Sequence, residues 1–176
     1  GDLAAFLDCD DTWMPEKLEI QSRVFRDPSC VVSTTDFTVT YEFEHSSIFH
    51  RRRVRCETYR KPVVNVVEAI TNYSIGMSTV MIRVSAARES LPKFPPQFFM
   101  IEDVDIVTRI MTYGILIPVR RALTRYRVHG DNYSTQTDPY GNEWETWVLN
   151  LNELEISVSE RKFLTAYGES QILNSR

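Results

Sequence analysis

The chain opens on a short apolar run, Leu3 to Leu7, and the carboxylates Asp8, Asp10 and Asp11 follow at once. A run of that length predicts a buried strand, although length alone admits a helix. Pro15 and Glu16 stand where a helix begins, with Leu18, Ile20, Val24 and Phe25 as its apolar positions. Asp27-Pro28-Ser29 is a turn signal that ends it. Cys30 to Tyr41 is dense in β-branched residues and predicts one or two strands. Glu44 to Ser47 reads as a loop, and Val63 to Thr71 as a short helix. Ser78 to Val84 reads as a strand, with Val80 and Ile82 on one face and Thr79, Met81 and Arg83 on the other. Ser85 to Leu91 follows as a brief helix. Val104, Val107 and Ile110, with Met111 beside them, recur at helical spacing and predict a core-facing stripe. Gly114 reads as the stop of that helix. Two strands come next, Ile115 to Val119 and Leu123 to His129. Trp144 to Leu154, aromatic and aliphatic, and Ser159 to Ile172, of helical periodicity, read as one or two helices that close the chain, with Glu160, Arg161 and Lys162 facing water.

Strand, acidic loop, helix is the arrangement at the start. In open α/β sheets, ligands bind beyond the carboxyl ends of strands. Clustered carboxylates repel one another unless a positive charge sits among them. Their hard oxygens suit Mg2+ or Mn2+. A bare Asp-x-Asp is also compatible with a solvated acidic turn capping a helix. Glu102 and Asp103 lie in the first turn of their own helix, where acidic side chains meet the positive end of the dipole. They read equally well as caps or as a functional pair.

Composition narrows the class. The chain has 176 residues, enough for one domain with a real core. The net charge of −4 argues against general nucleic-acid binding. No apolar run is long enough to span a bilayer, and no signal-peptide pattern is present. The three cysteines, Cys9, Cys30 and Cys56, lack a metal or disulfide spacing and read as reduced thiols of a cytoplasmic protein. Cys9 reads as a small apolar filler rather than a nucleophile. The basic cluster His50 to Arg55 reads as a solvated face, as do His45 and His50.

Phe6 to Gln21, with Asp8-Cys9-Asp10 and Trp13-Met14-Pro15-Glu16-Lys17-Leu18, resembles the Asp-x-Asp segment of family 2 glycosyltransferases of the GT-A fold. Glu102-Asp103-Val104-Asp105-Ile106 with Arg109 is similar to the family's Glu-Asp motif. Tyr126-Arg127-Val128-His129-Gly130-Asp131-Asn132-Tyr133-Ser134 is similar to its Tyr-Arg-x-His-x-x-Asn-x-Ser segment. Met77 to Arg83 also resembles a strand of the family, whereas Pro95-Pro96 departs from its usual Gly-x-Phe-Asp-Glu. The resemblance covers roughly Gly1 to Ser134.

This resemblance implies an α/β fold: a partial GT-A, Rossmann-like mixed sheet flanked by helices. The catalytic-domain portion would span residues 1–136, and a linker and C-terminal helical segment residues 137–176. The family's N-terminal βαβ part, which binds the nucleotide base, has no counterpart here. The implied activity is inverting transfer of a sugar from a nucleotide-diphosphate sugar to a hydroxyl of a saccharide or lipid-linked acceptor. Asp103 would be the general base, with Glu102 near the acceptor. Asp10 and His129 would hold Mn2+ or Mg2+. Asp8, Asp10, Arg127 and Ser134 would contact the nucleotide sugar. Arg109 would pair with an acidic neighbour and support its helix. A peripheral membrane association is compatible with this reading.

Two rivals stay open. Asp8-x-Asp10-x-Thr12 after an apolar strand also resembles the first motif of haloacid-dehalogenase-type phosphatases, with Asp8 as nucleophile. That reading leaves Trp13-x-Pro15 and the His129 segment unexplained. A non-catalytic sugar-nucleotide-binding fragment is the other.

Overall fold

The computed structural model describes residues 1–41, 52–71, 75–90, 98, 100–130, 132 and 140–174. His45, His50, Lys93 to Gln97 and Ser134 lie outside them. The frame is one mixed sheet. Strand β1 (Leu3–Ala5) pairs with β5 (Met81–Arg83), then come β3 (Cys30–Tyr41), β6 (Ile115–Val128) and β2 (Thr12–Trp13). Strand β4 (Arg52–Cys56) continues the edge of β3 beyond β5. All pairings are antiparallel except β3 with β6.

Cys30 to Tyr41 is a single strand. The two predicted strands at Ile115 and Leu123 are one, running unbroken through Pro118, Arg120 and Arg121. The long parallel partner β3 supplies pairing along the whole length, with register shifts around Asp36 absorbing the irregularity.

Helix α1 (Lys17–Ser22) differs from its expected stripe. Lys17 and Gln21 are buried, while Leu18 is 48 % exposed. Phe25, in the 3-10 turn that follows, does enter the core. Helix α2 is Val66–Thr71, shorter than expected, because Val63 exchanges backbone bonds with Leu116 instead. Its start is fixed by Asn65 Oδ1, which accepts the Glu68 N–H at 2.8 Å. The expected strand from Ser78 is reduced to β5, since Met77 to Thr79 form a 3-10 turn and Val84 already opens α3 (Val84–Ser90).

Helix α4 (Glu102–Ile110) buries Val104, Val107 and Ile110, as its spacing predicts. Val107 and Ile110 share one core with Val32, Val63, Ala69, Val80, Ile82 and Leu116. On the opposite side of the sheet, Phe25, Cys30 and Met81 form a smaller cluster. Gly114 ends the helical segment with an extended backbone, φ 171°, so left-handed geometry is not its use. A Cβ there would lie 2.3 Å from the Ser29 carbonyl oxygen, so the close approach of two backbones demands glycine.

Helices α5 (Tyr140–Asn150) and α6 (Val158–Asn174) pack on α2 and α4 through a second apolar cluster. It includes Val66, Ile70, Ile101, Val104, Trp144, Trp147 and Leu164. Trp144 and Trp147 meet edge to face with centroids 5.4 Å apart. Arg161 departs from its expected solvent role. Its guanidinium turns inward to the carbonyls of Leu151 and Leu154, the latter at 2.9 Å, and closes the turn between the two helices. Among the described residues, no helix is long and apolar enough to cross a membrane.

Candidate functional site

The acidic loop after β1 meets the end of β6. Asp10 Oδ2 lies 3.1 Å from His129 Nε2, although 119 positions separate the two in sequence. Asn132 fixes this corner. Its Nδ2 donates to Asp10 Oδ2 at 3.4 Å and to the Arg127 carbonyl at 3.1 Å, and its Oδ1 accepts the His129 N–H. Strand β2 runs antiparallel to β6, with Thr12 opposite Arg125, and this pairing delivers the loop to that point.

Asp11 extends the junction. Its Oδ1 accepts the Arg127 N–H at 3.0 Å, in effect adding a rung to the β2–β6 ladder. The residue is 7 % exposed, and burial raises its carboxyl above the usual range, with the Asp10 and Asp8 charges adding to the rise. Its Oδ2 makes no hydrogen bond to a described residue, since the nearby Ser78 hydroxyl is committed to Asp8.

Ser78 anchors the other carboxylate. Its Oγ accepts the Asp8 N–H at 3.0 Å and donates to Asp8 Oδ2 at 3.1 Å. Its carbonyl accepts Trp13 Nε1–H at 2.8 Å and the Thr124 hydroxyl at 3.2 Å. The 3-10 turn around Ser78 therefore pins the acidic loop, β2 and β6 together.

A buried lysine lies behind that turn. Lys17 Nζ donates to Gln21 Oε1 at 2.7 Å and sits 4.4 Å from the centre of the Trp13 ring. Gln21 Nε2 in turn donates to the carbonyls of Ser33 and Thr79, both at 2.9 Å. Burial lowers the Lys17 ammonium to about 8.

Helix α4 brings the second acidic pair. Glu102 is half-buried, and burial raises its carboxyl; the negative charges of Asp8 and Glu143 raise it further. That coupling places Glu102 in the field of the acidic loop. Asp103 Oδ1 accepts the Val104 N–H at 2.8 Å. The helix start is held from α5, where Glu143 Oε2 accepts the N–H groups of Met100 at 2.9 Å and Ile101 at 3.2 Å. Arg109 pairs with Asp105 at 2.8 Å, both fully buried, which matches its expected supporting role.

Asp10 and His129 are thus together, Ser78 holds Asp8 two residues before Asp10, and the Asp8 charge reaches Glu102. Arg127 contributes its backbone N–H to Asp11, and the residue is exposed. Ser134 lies outside the described residues. Cys9 is exposed and fills no core. Ser78, Asn132, Lys17 and Glu143 do work here that their types do not announce. Asn132, Lys17 and Ser78 carried a signal only as members of the segments that resemble the family, and Glu143 carried none.

No family model matches the chain, and no curated protein matches it. The fold has counterparts among solved structures. It is similar to S. aureus TarS 1-349 in complex with UDP-GlcNAc, with a TM-score of 0.70 at 13 % identity. A second structure of S. aureus TarS 1-349 gives a TM-score of 0.65 at 14 % identity, over 99 % of this chain and 47 % of that one. The shared fold is α/β, a partial Rossmann-like mixed sheet flanked by helices. The match covers 99 % of this chain and 49 % of the UDP-GlcNAc-bound one, so the chain spans about half the length of its structural counterpart.

Proposed function

We propose that this chain is part of an inverting, metal-dependent glycosyltransferase of family 2. Such an enzyme moves a sugar from a nucleotide-diphosphate sugar to an acceptor hydroxyl. The observation that carries the reading is the Asp10–His129 pair, 3.1 Å apart, closed by Asn132. The likeness to a UDP-GlcNAc-binding structure supports a nucleotide-sugar donor.

The residues present fit a hard divalent cation. A carboxylate and an imidazole are ligands that Mn2+ accepts. Among the described residues no three His, Cys, Asp or Glu side chains are grouped to hold a metal. A cation that also takes water and substrate phosphates needs no more than one or two protein ligands. Asp10 and His129 would hold Mn2+ or Mg2+, which would stabilise the negative charge of the departing diphosphate.

The protein's own groups do the rest. Ser78 holds Asp8 in place to contact the donor ribose, and Asn132 keeps the His129 segment against the acidic loop. Arg127 and Ser134 would add charge and hydrogen bonds to the diphosphate. Asp103 takes the proton of the acceptor hydroxyl as its oxygen attacks the anomeric carbon. Its bond from the Val104 N–H sets the carboxylate's orientation. Glu102, beside it, faces the acceptor.

Calorimetry with Mn2+, with and without UDP or GDP, tests the reading on this chain and on Asp10→Ala. Binding enhanced by nucleotide and abolished in the variant is the expected result. Binding that ignores the variant would refute the assignment of Asp10. Trapping of a phospho-aspartate mimic on Asp8 by beryllofluoride would move the assignment to a phosphatase.

A further inference from the structure

Residues paired across a sheet share a face. The register sets Arg55 opposite Thr38, Thr38 opposite Arg125, and Arg125 opposite Thr12, in one row across β4, β3, β6 and β2. The next row sets Thr40 opposite Arg127. Rows two residues apart are about 7 Å apart, and β4 lies about 10 Å from β6. The face is therefore a lattice of arginine positions separated by threonines. The opposite face carries Phe37, Val39, Val54 and Tyr126 instead, with Phe37 and Tyr126 in edge contact at 6.4 Å.

This face meets solvent. Arg55, Arg125 and Arg127 are exposed, and no ion pair engages Arg125 among the described residues. At the inner end of the lattice, Asp36 Oδ2 receives Arg55 at 3.2 Å and Arg120 at 3.4 Å, and Arg120 also reaches Glu57 at 2.8 Å. The guanidinium groups of this patch thus already take carboxylates. In a chain of net charge −4, such a concentration of arginine on one face does not follow from composition. Along β6 the alternation Arg125, Arg127 leads to His129, so the lattice ends at the Asp10–His129 corner.

We propose that this face binds an acidic polysaccharide, one with carboxylates recurring along its length, and that this polymer is the acceptor. The acceptor role rests on the transferase reading; the binding does not. Arginine forks match carboxylates in a bidentate geometry, and the threonine hydroxyls between them suit sugar hydroxyls. A polymer lying along β6 would run toward the end of the strand where Asp10 and His129 meet.

The probe is a defined oligogalacturonate, titrated into the full chain by calorimetry beside a neutral dextran oligosaccharide, polyphosphate and phosphatidylglycerol vesicles. The expected result is binding of the oligogalacturonate that weakens with salt, and none of dextran. Arg125→Glu should weaken it roughly five- to tenfold, and Arg125→Lys should restore most of it. Both variants should keep the wild-type melting temperature and bind UDP with Mn2+ as the wild type does. No oligogalacturonate binding, or binding that Arg125→Glu leaves unchanged, overturns the proposal. Arg125-dependent binding of polyphosphate or vesicles in place of the oligogalacturonate overturns it as well. Arg125-dependent oligogalacturonate binding without any UDP–Mn2+ binding would keep the surface and refute the transferase reading.

Discussion

His129 Nε2 and Asp10 Oδ2 meet at 3.1 Å because Asn132 grips both sides of the junction. The amide side chain accepts from the His129 backbone and donates to the Asp10 carboxylate, so it sets the separation of the two candidate metal ligands. His129→Ala should weaken Mn2+ binding in the presence of UDP at least about tenfold. Asn132→Ala should weaken it by a similar or smaller factor, as loss of a ligand-orienting partner does. Calorimetry on the three proteins decides this. Wild-type affinity in His129→Ala would remove that residue from the site.

Glu102 should make stability depend on pH in a defined direction. Burial, with the charges of Asp8 and Glu143 behind it, raises its carboxyl in the folded chain. The folded state then holds a proton that the unfolded state has released. Stability from this group falls as pH rises from the ordinary carboxylate range through the raised value. Glu102→Gln lacks that dependence and should be more stable than wild type at neutral pH, by about 1 kcal/mol. Urea unfolding at several pH values between about 4 and 8 measures the difference. Parallel curves for the two proteins would contradict it.

Arg109 and Asp105 are a fully buried ion pair, with side chains 1 % and 2 % exposed and 2.8 Å apart. Arg109→Leu leaves the Asp105 carboxylate in the core with its main partner gone. A loss of about 3–5 kcal/mol is expected. The double variant Arg109→Leu, Asp105→Leu should recover most of that loss, because two apolar side chains bury without charge. Denaturant unfolding of the set tests the pair. An equally unstable double variant would show that packing volume, rather than charge, sets the cost.

Periodic apolar positions located the core accurately where one face of an element is buried, as in α4 with Val104, Val107 and Ile110. The pattern failed where polar side chains enter the interior. Lys17 and Gln21 are residue types that usually face water, and only the carbonyls of Ser33 and Thr79, distant in sequence, make their burial tolerable. Arg161 is similar, drawn inward by carbonyls at the end of a turn. The continuity of β6 through Arg120 and Arg121 was hidden because its pairing comes from β3, far upstream. At the site, the carboxylates and His129 stand out by type and motif. Ser78 lies in a segment that resembles the family, but its anchoring role was not legible there, since a serine hydroxyl becomes an anchor only once β2, β6 and the acidic loop converge on it.

Lys17 provides the last test. Its ammonium is buried against Trp13 and Gln21, and burial lowers it from 10.5 to about 8. Between those two values the unfolded chain carries a proton that the folded chain lacks, so stability from this group rises with pH across that window. The full effect is about 3 kcal/mol. Lys17→Met cannot show it. Other groups that titrate there, the raised Cys30 thiol among them, are present in both proteins and cancel in the difference. Wild type minus Lys17→Met, from urea unfolding at pH near 7, 9 and 10, should therefore climb with pH. The Lys17 Cε resonance should titrate near 8 in the same range. A resonance that stays still up to pH 9 would mean the amine reaches water, and the link from Lys17 through Trp13 to the Ser78 anchor of Asp8 would lose its fixed end.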